Sequence, residues 1–182
     1  PLISVLMPVH DPDPKVLQAA LASLRAQLYP NWELCVVDDA STRPEIPRIL
    51  SRAAEADPRI RVLTRPENGH IARATNDALG MARGAVCAFM DHDDALTEDA
   101  LYEVARALRR DPDLVLIYSD EDKIDGRGRR FDPHFKSGFD RELLYAQNYI
   151  NHLTVVRTDA LRAVGGLRPG FEGSQDHDLL LR

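Results

Sequence analysis

Several things are scarce in this sequence. Two cysteines, Cys35 and Cys87, are all that 182 residues contain, too few for the disulfide framework of a small secreted domain. Each stands in an apolar run that reads as a strand, where a free thiol behaves as a small hydrophobe; both are expected in the core, in keeping with a reducing compartment. No run approaches the roughly 18 apolar residues of a spanning helix, so no membrane span is expected in this segment. Nor is there an excess of basic charge. The 23 Lys and Arg residues face 29 Asp and Glu, a formal net charge of −6, and binding to nucleic acid is not expected. Signal peptide, internal repeat and low-complexity tract are all missing from the residues shown. What is present is 44 % hydrophobic and 29 % charged, the balance of a soluble globular protein, with length for one domain rather than two.

Along the chain, short apolar runs alternate with helical patterns, the signature of an α/β layered domain. Residues 2–7 read as a buried strand stopped by Pro8. A helix over about 15–27 would carry Leu17, Ala20, Leu21, Leu24 and Leu28 on one face. Residues 32–37 read as the second strand, 45–56 as a helix with Ile46, Ile49, Leu50 and Ala53 inward, and 60–63 as a third strand. Asn68-Gly69 marks a turn. The next helix has Ile71, Ala74, Ala78 and Met81 on one side, with Gly84 as its expected C-terminal cap. A fourth strand, 85–90, follows. Thr97 is the expected cap of a helix carrying Leu101, Val104, Ala105 and Leu108, and 114–118 makes a fifth strand. Beyond it the pattern is less regular: a polar stretch over 120–138 with Gly126-Arg127-Gly128 as a hairpin tip, then one more strand over 152–156.

The most informative feature is the acidic quartet Asp91-His92-Asp93-Asp94 at the end of the fourth strand. Two carboxylates at alternate positions suit a divalent metal held against a diphosphate. Two more acidic clusters, Asp38-Asp39 and Asp176-His177-Asp178, add weight. In a parallel α/β sheet ligands bind beyond the carboxyl ends of the strands. Residues 8–11, 38–39 and 91–94 all lie at such ends, so three stretches are expected to converge on one crevice. An EF-hand reading of the quartet fails, because Leu96 and Tyr102 occupy the glycine and bidentate glutamate positions.

The motifs Ser4-Val5-Leu6-Met7-Pro8-Val9-His10, Val37-Asp38-Asp39-Ala40-Ser41, Asn68-Gly69 with Ala72-Arg73-Ala74-Thr75-Asn76, Met90-Asp91-His92-Asp93-Asp94, and Gly165-Gly166 with Gln175-Asp176 occur in that order. In this the chain resembles the family 2 nucleotide-sugar glycosyltransferases. The resemblance implies the GT-A fold, a Rossmann-like, mostly parallel central sheet flanked by helices. It implies a single domain over 1–182, with 1–119 as the nucleotide-sugar-binding half and 120–182 as the donor-sugar and acceptor half. Pro8, Val9, His10 and Asp11 would line the base and ribose. Asp38 or Asp39 would accept from the base N–H, as an ionised carboxylate does. Asn68, Gly69 and Arg73 would lie near the donor, Arg73 being equally readable as a solvated helix face. Asp91 would sit near ribose and metal, Asp93 would bind Mn²⁺ or Mg²⁺ directly, and His92 would pack in the loop or face the donor.

The same resemblance makes Asp176 the catalytic base of an inverting, metal-dependent transfer. The donor would be a UDP- or dTDP-sugar and the acceptor a saccharide or lipid-linked hydroxyl. The family commonly has Glu-Asp where this chain has Gln175-Asp176, and Gln175 is expected to keep the hydrogen bonding without the charge. Asp178 is expected to begin the last helix. The stretch Tyr118-Ser119-Asp120-Glu121-Asp122-Lys123, with Phe131, Pro133 and Phe135-Lys136, resembles a bacterial subgroup that builds surface polysaccharides. Asp120 and Asp122 read equally as sugar ligands or a solvated hairpin. Asn148, Asn151 and His152 are further polar candidates, His152 being read first as a satisfied strand-end histidine. A cytoplasmic setting is expected, at the inner face of the plasma membrane if regions outside this segment provide an anchor. The chain begins at Pro1 and stops soon after Asp176, which reads as part of a longer protein.

Three alternatives stand beside this reading. A sugar-nucleotide nucleotidyltransferase wants a Gly-rich loop after the first strand, where this chain has His10-Asp11-Pro12-Asp13-Pro14. A haloacid-type phosphatase wants D-x-D on its first strand. A catalytically silent sugar-nucleotide or glycan-binding module would have no need of Asp176 as a base.

Overall fold

A computed structural model describes residues 1–182. Its core is a six-stranded sheet in the order β3-β2-β1-β4-β8-β5. The strands are β1 (Ile3–Val9), β2 (Trp32–Asp38), β3 (Ile60–Thr64), β4 (Val86–Phe89), β5 (Leu116–Tyr118) and β8 (Thr154–Arg157). The first four pair in parallel. β8 pairs antiparallel with both β4 and β5, so it alone runs against the rest. The sheet is therefore mostly parallel, as expected. The 114–118 segment does not extend the run directly: β8 inserts between it and β4, with Thr154, Val155 and Val156 buried.

Every residue of β1 and β2 is buried, which is why both read as near-continuous apolar runs. Alternation then divides their side chains between two faces. Ile3, Val5, Met7 and Val9 of β1 join Leu34 and Val36 of β2 in one cluster. Three helices, α1 (Pro14–Arg25), α2 (Glu45–Ala56) and α4 (Ala100–Arg110), cover it with Leu17, Leu21, Leu24, Ile46, Leu50, Leu101 and Val104. Leu6, Cys35, Val37 and Cys87 point the other way. They meet α3 (His70–Met81), α6 (Thr158–Ala163) and α7 (Gln175–Leu180) through Ala74, Ala78, Leu161 and Leu179. Both cysteines are free and buried. Outside the main sheet, β6 (Glu121–Ile124) and β7 (Arg130–His134) form a hairpin, closed by Asp125 and Gly128 as the Gly-Arg-Gly tip suggested. A short helix α5 (Arg141–Ala146) follows. No helix is long and apolar enough to cross a membrane.

Three local expectations are corrected. Helix α1 stops at Arg25, leaving Leu28 66 % exposed. The residue before it explains why: buried Gln27 accepts the Leu101 N–H at 2.9 Å and donates to the Thr97 carbonyl at 2.6 Å, holding the start of α4. Thr97 does not cap that helix by its hydroxyl; its carbonyl accepts from Ala100, and Asp99 is the N-cap residue. Gly84 is not a helix cap either, since α3 ends at Met81 with Ala82 as its cap. A Cβ on Gly84 would lie 2.7 Å from the Leu2 carbonyl oxygen and the Ser4 nitrogen, so this glycine lets the chain run close against β1.

Candidate active site

Strand order reverses about β1, with β2 on one side and β4 on the other. The crevice beyond the carboxyl ends of these strands is where such sheets bind ligands. Residues 8–11, 38–39 and 91–94 leave from those ends.

On the β2 side, Asp38 and Asp39 are almost fully buried. Asp38 Oδ1 accepts the Ser41 N–H at 3.0 Å and so shapes the exit loop. Asp39 Oδ1 accepts the Gly69 N–H at 2.9 Å and lies 2.8 Å from Arg65 Nε. Arg65 also pairs with Asp77. The turn is tight there, for a Cβ on Gly69 would lie 2.5 Å from Arg65 Nη2. Arg73, one turn into α3, is exposed.

His10 is exposed, yet both its ring nitrogens are occupied. Asn68 Oδ1 takes the His70 N–H at 3.0 Å, which turns Asn68 Nδ2 towards His10 Nε2 at 3.1 Å. That nitrogen is then the acceptor, and Nδ1 carries the proton given to the Asp39 carbonyl at 2.9 Å. Pro8 and Val9 are buried at the strand end. Asp11 directs its carboxylate to the Thr42 hydroxyl and the Thr42 and Arg43 amides. The Thr42 hydroxyl, with the Arg43 amide, holds its pKa below the usual carboxylate value. In this arrangement Asp11 braces the β2–α2 loop.

On the β4 side, the quartet does not continue as an extended strand. It turns, with the Asp94 N–H donated to the Asp91 carbonyl at 3.2 Å. Alternation then fails, and Asp94 falls on the side of Asp91. One ligand atom from each of Asp91, Asp94 and His152 lies within 4.8 Å of the others. Asp93 is exposed and outside this group. His92 Nδ1 lies 3.2 Å from the Pro8 carbonyl, a loop contact. Burial pushes the Asp91 carboxyl up to about 6, helped by Asp94, Asp176 and Asp93 and opposed by His152. The Asp94 carboxyl is also raised, by burial first and then by Asp93 and Glu121.

Asp176 comes to this cluster on the first turn of α7. Its Oδ2 accepts from Gln175 Nε2 at 2.8 Å and from Asn151 Nδ2 at 3.2 Å. Gln175 thus keeps the hydrogen bonding expected of it. Burial raises the Asp176 carboxyl, against the effect of those donors and of His152. Asp178 lies in the first turn of α7, as expected, its carboxylate buried against Arg168 and Arg182.

Sequence reasoning gave no role to Asp94 or Arg65 and read His152 as a strand-end residue. The signal for Asp94 was its place in the quartet, hidden by the assumption of extended backbone. For Arg65 no sequence signal existed, since its partners are set by tertiary contact.

The model for Glycosyl transferase family 2 matches residues 4–165. The chain belongs to this family. Two bacterial relatives match this family 2 glycosyltransferase over its whole length: y4gI of Sinorhizobium fredii at 52 % identity and the O-antigen biosynthesis protein RfbC of Myxococcus xanthus at 48 %. It spans only 20 % and 14 % of their respective lengths. Among solved structures, S. aureus TarS in complex with UDP is similar with a TM-score of 0.81 at 22 % identity, over 98 % of this chain and 54 % of that one. A mannosyltransferase from Pyrobaculum calidifontis in complex with GDP-Man and Mn²⁺ gives 0.74 at 21 % identity, over 97 % and 50 %. The fold is accordingly that of the GT-A glycosyltransferases.

Proposed function

We propose that this family 2 glycosyltransferase transfers a sugar from a UDP- or dTDP-sugar to a hydroxyl of a saccharide or lipid-linked acceptor, with inversion, in the cytoplasmic synthesis of a bacterial surface polysaccharide. The observation that carries the reading is the gathering of Asp91, Asp94 and His152 beside Asp176 at the crevice. The UDP bound by TarS supports the nucleotide class, and the name of RfbC supports the product class. Residues 1–119 hold the nucleotide on this reading, and 120–182 serve the donor sugar and acceptor.

The donor set fits a divalent cation. The two carboxylates suit Mn²⁺ or Mg²⁺, and the burial and neighbouring carboxylates that raise Asp91 are offset by positive charge. Asp91, Asp94 and His152 would hold the ion, with Asp93 a further ligand from the exposed side of the turn. When bound, it would offset the charge developing on the diphosphate leaving group.

The remaining steps belong to the chain. Asp39 presents Oδ2 to the base N–H, its Oδ1 being held by Gly69 and Arg65. Gln175 and Asn151 both donate to Asp176 Oδ2, so Oδ1 is the oxygen that takes the acceptor proton. As that proton leaves, the acceptor oxygen bonds to the anomeric carbon. The bond from that carbon to the diphosphate oxygen breaks on the opposite face, its electron pair departing with the diphosphate. A base in this position is worth about 10² to 10⁴-fold in rate. Asp176→Asn should therefore lose turnover by that factor while still binding the nucleotide. Unchanged turnover would remove the base assignment.

A further inference from the structure

The β6–β7 hairpin stands apart from the main sheet, yet one side chain just beyond it is deeply buried. The Lys136 side chain is only 1 % exposed, on a segment whose neighbours are exposed. Its Nζ has three acceptors: the His152 carbonyl at 2.6 Å, the Ile150 carbonyl at 2.9 Å and Glu121 Oε2 at 3.3 Å. An ammonium has three protons to donate, so this one is fully engaged. Glu121, the first residue of β6, uses the same Oε2 to accept the backbone N–H of His152. The ion pair thus grips His152 from both sides, at its N–H and at its C=O, and takes the Ile150 carbonyl as well.

The gripped segment carries two side chains of the site. Asn151 donates to Asp176, and His152 Nδ1 lies 3.7 Å from Asp94 Oδ2. Thr154 donates its hydroxyl to Asn151 Oδ1 at 3.2 Å, which fixes which end of the amide faces Asp176. Stability alone gives little reason for this design. The Lys136 ammonium is out of water while Glu121 stays 32 % exposed, so the desolvation of the lysine offsets much of what the pair gains; the two are 15 residues apart with a hairpin between them.

We propose that Lys136 and Glu121 are positioning residues, an ion pair with a buried ammonium and a half-buried carboxylate that locks the backbone of residues 150–152 and so aims Asn151 at Asp176 and His152 at Asp94. The inference rests on the glycosyltransferase reading of the site. Both act through the backbone they hold. Their effect is that of an outer layer of partners around metal ligands and a catalytic base, where loss of a partner typically weakens metal affinity or activity by about 10- to 100-fold.

The test is titration of Mn²⁺ followed by electron paramagnetic resonance, with UDP present, on the wild type, Lys136→Met and Glu121→Gln, beside thermal unfolding of each. Sugar release from the donor at saturating Mn²⁺ gives kcat and KM. The expected result is cooperative unfolding retained in at least one variant, with Mn²⁺ affinity lower by about 10- to 100-fold. At saturating Mn²⁺ the deficit should lie in kcat rather than in donor KM. A folded Lys136→Met protein with wild-type Mn²⁺ affinity and kcat would overturn the inference. So would loss of the folded state in both variants, which would make the pair a folding element. A wild type that binds no Mn²⁺ with UDP present would instead overturn the metal-dependent reading of the site, and this inference with it.

Discussion

Asn151 donates its amide to Asp176 Oδ2 across 3.2 Å, joining the loop before β8 to the first turn of α7, 25 residues on. The contact places a neutral donor on the carboxylate proposed above as the base, in a setting where burial favours the protonated form. It therefore helps to decide the pH at which the base is ready.

Replacing Asn151 by Ala should move the acid limb of the rate profile. Burial raises the Asp176 carboxyl and the Asn151 bond opposes that rise, so removing the bond lets it climb further. The base must be ionised, and the limb shifts to higher pH. Turnover should fall about 10-fold on the acid side and recover as pH rises. A drop of equal size at every pH would mean that Asn151 acts in some other way.

Acid stability should depend on Glu33. Its carboxylate is 2 % exposed and bonded by the Ser4 hydroxyl, the Arg83 amide and the guanidinium groups of Arg83 and Arg61. Burial disfavours the ionised form, but these bonds outweigh it and hold the carboxyl below its ordinary value. A group depressed on folding stabilises the protein above its unfolded pKa, and that contribution is lost as pH falls through the folded one. Urea unfolding from about pH 5 downwards, through and below the unfolded glutamate value of about 4.3, should show stability falling with pH in the wild type. In Glu33→Gln the fall should be flatter.

Gln27→Ala should cost stability without touching the site. The change strands the buried Leu101 N–H where α1 meets α4, and a buried group left unpaired costs about 1–3 kcal/mol. Chemical denaturation measures the loss; nucleotide affinity should stay at the wild-type value.

Much of the fold was legible because its signals are local. Glu45–Ala56 follows its apolar spacing residue for residue, and β1 and β2 announce themselves as unbroken apolar runs. The converging strand ends followed from the same pattern. What escaped was decided by contacts distant in sequence. Leu28 looked inward by periodicity, but Gln27 ends the helix to hold α4, 70 residues later. Gly84 looked like a cap, while its reason is the backbone of β1 beside it.

The site divides in the same way. The quartet at 91–94 was visible, but which of its carboxylates meet depends on a turn between Asp91 and Asp94. His152 joins them from the loop before β8, and Lys136 and Glu121 reach that loop from the hairpin. No spacing rule links residues so placed. Motif resemblance supplied Asp176; only the folded chain supplied its neighbours.

The most direct measurement is calorimetric titration of UDP, dTDP and GDP into the protein, each with and without Mn²⁺. The account predicts that one nucleotide, a uridine or thymidine diphosphate, binds tightly with Mn²⁺ and weakly or not at all without it. Equal affinity with and without the metal, or no binding of any nucleotide to a folded sample, would contradict it.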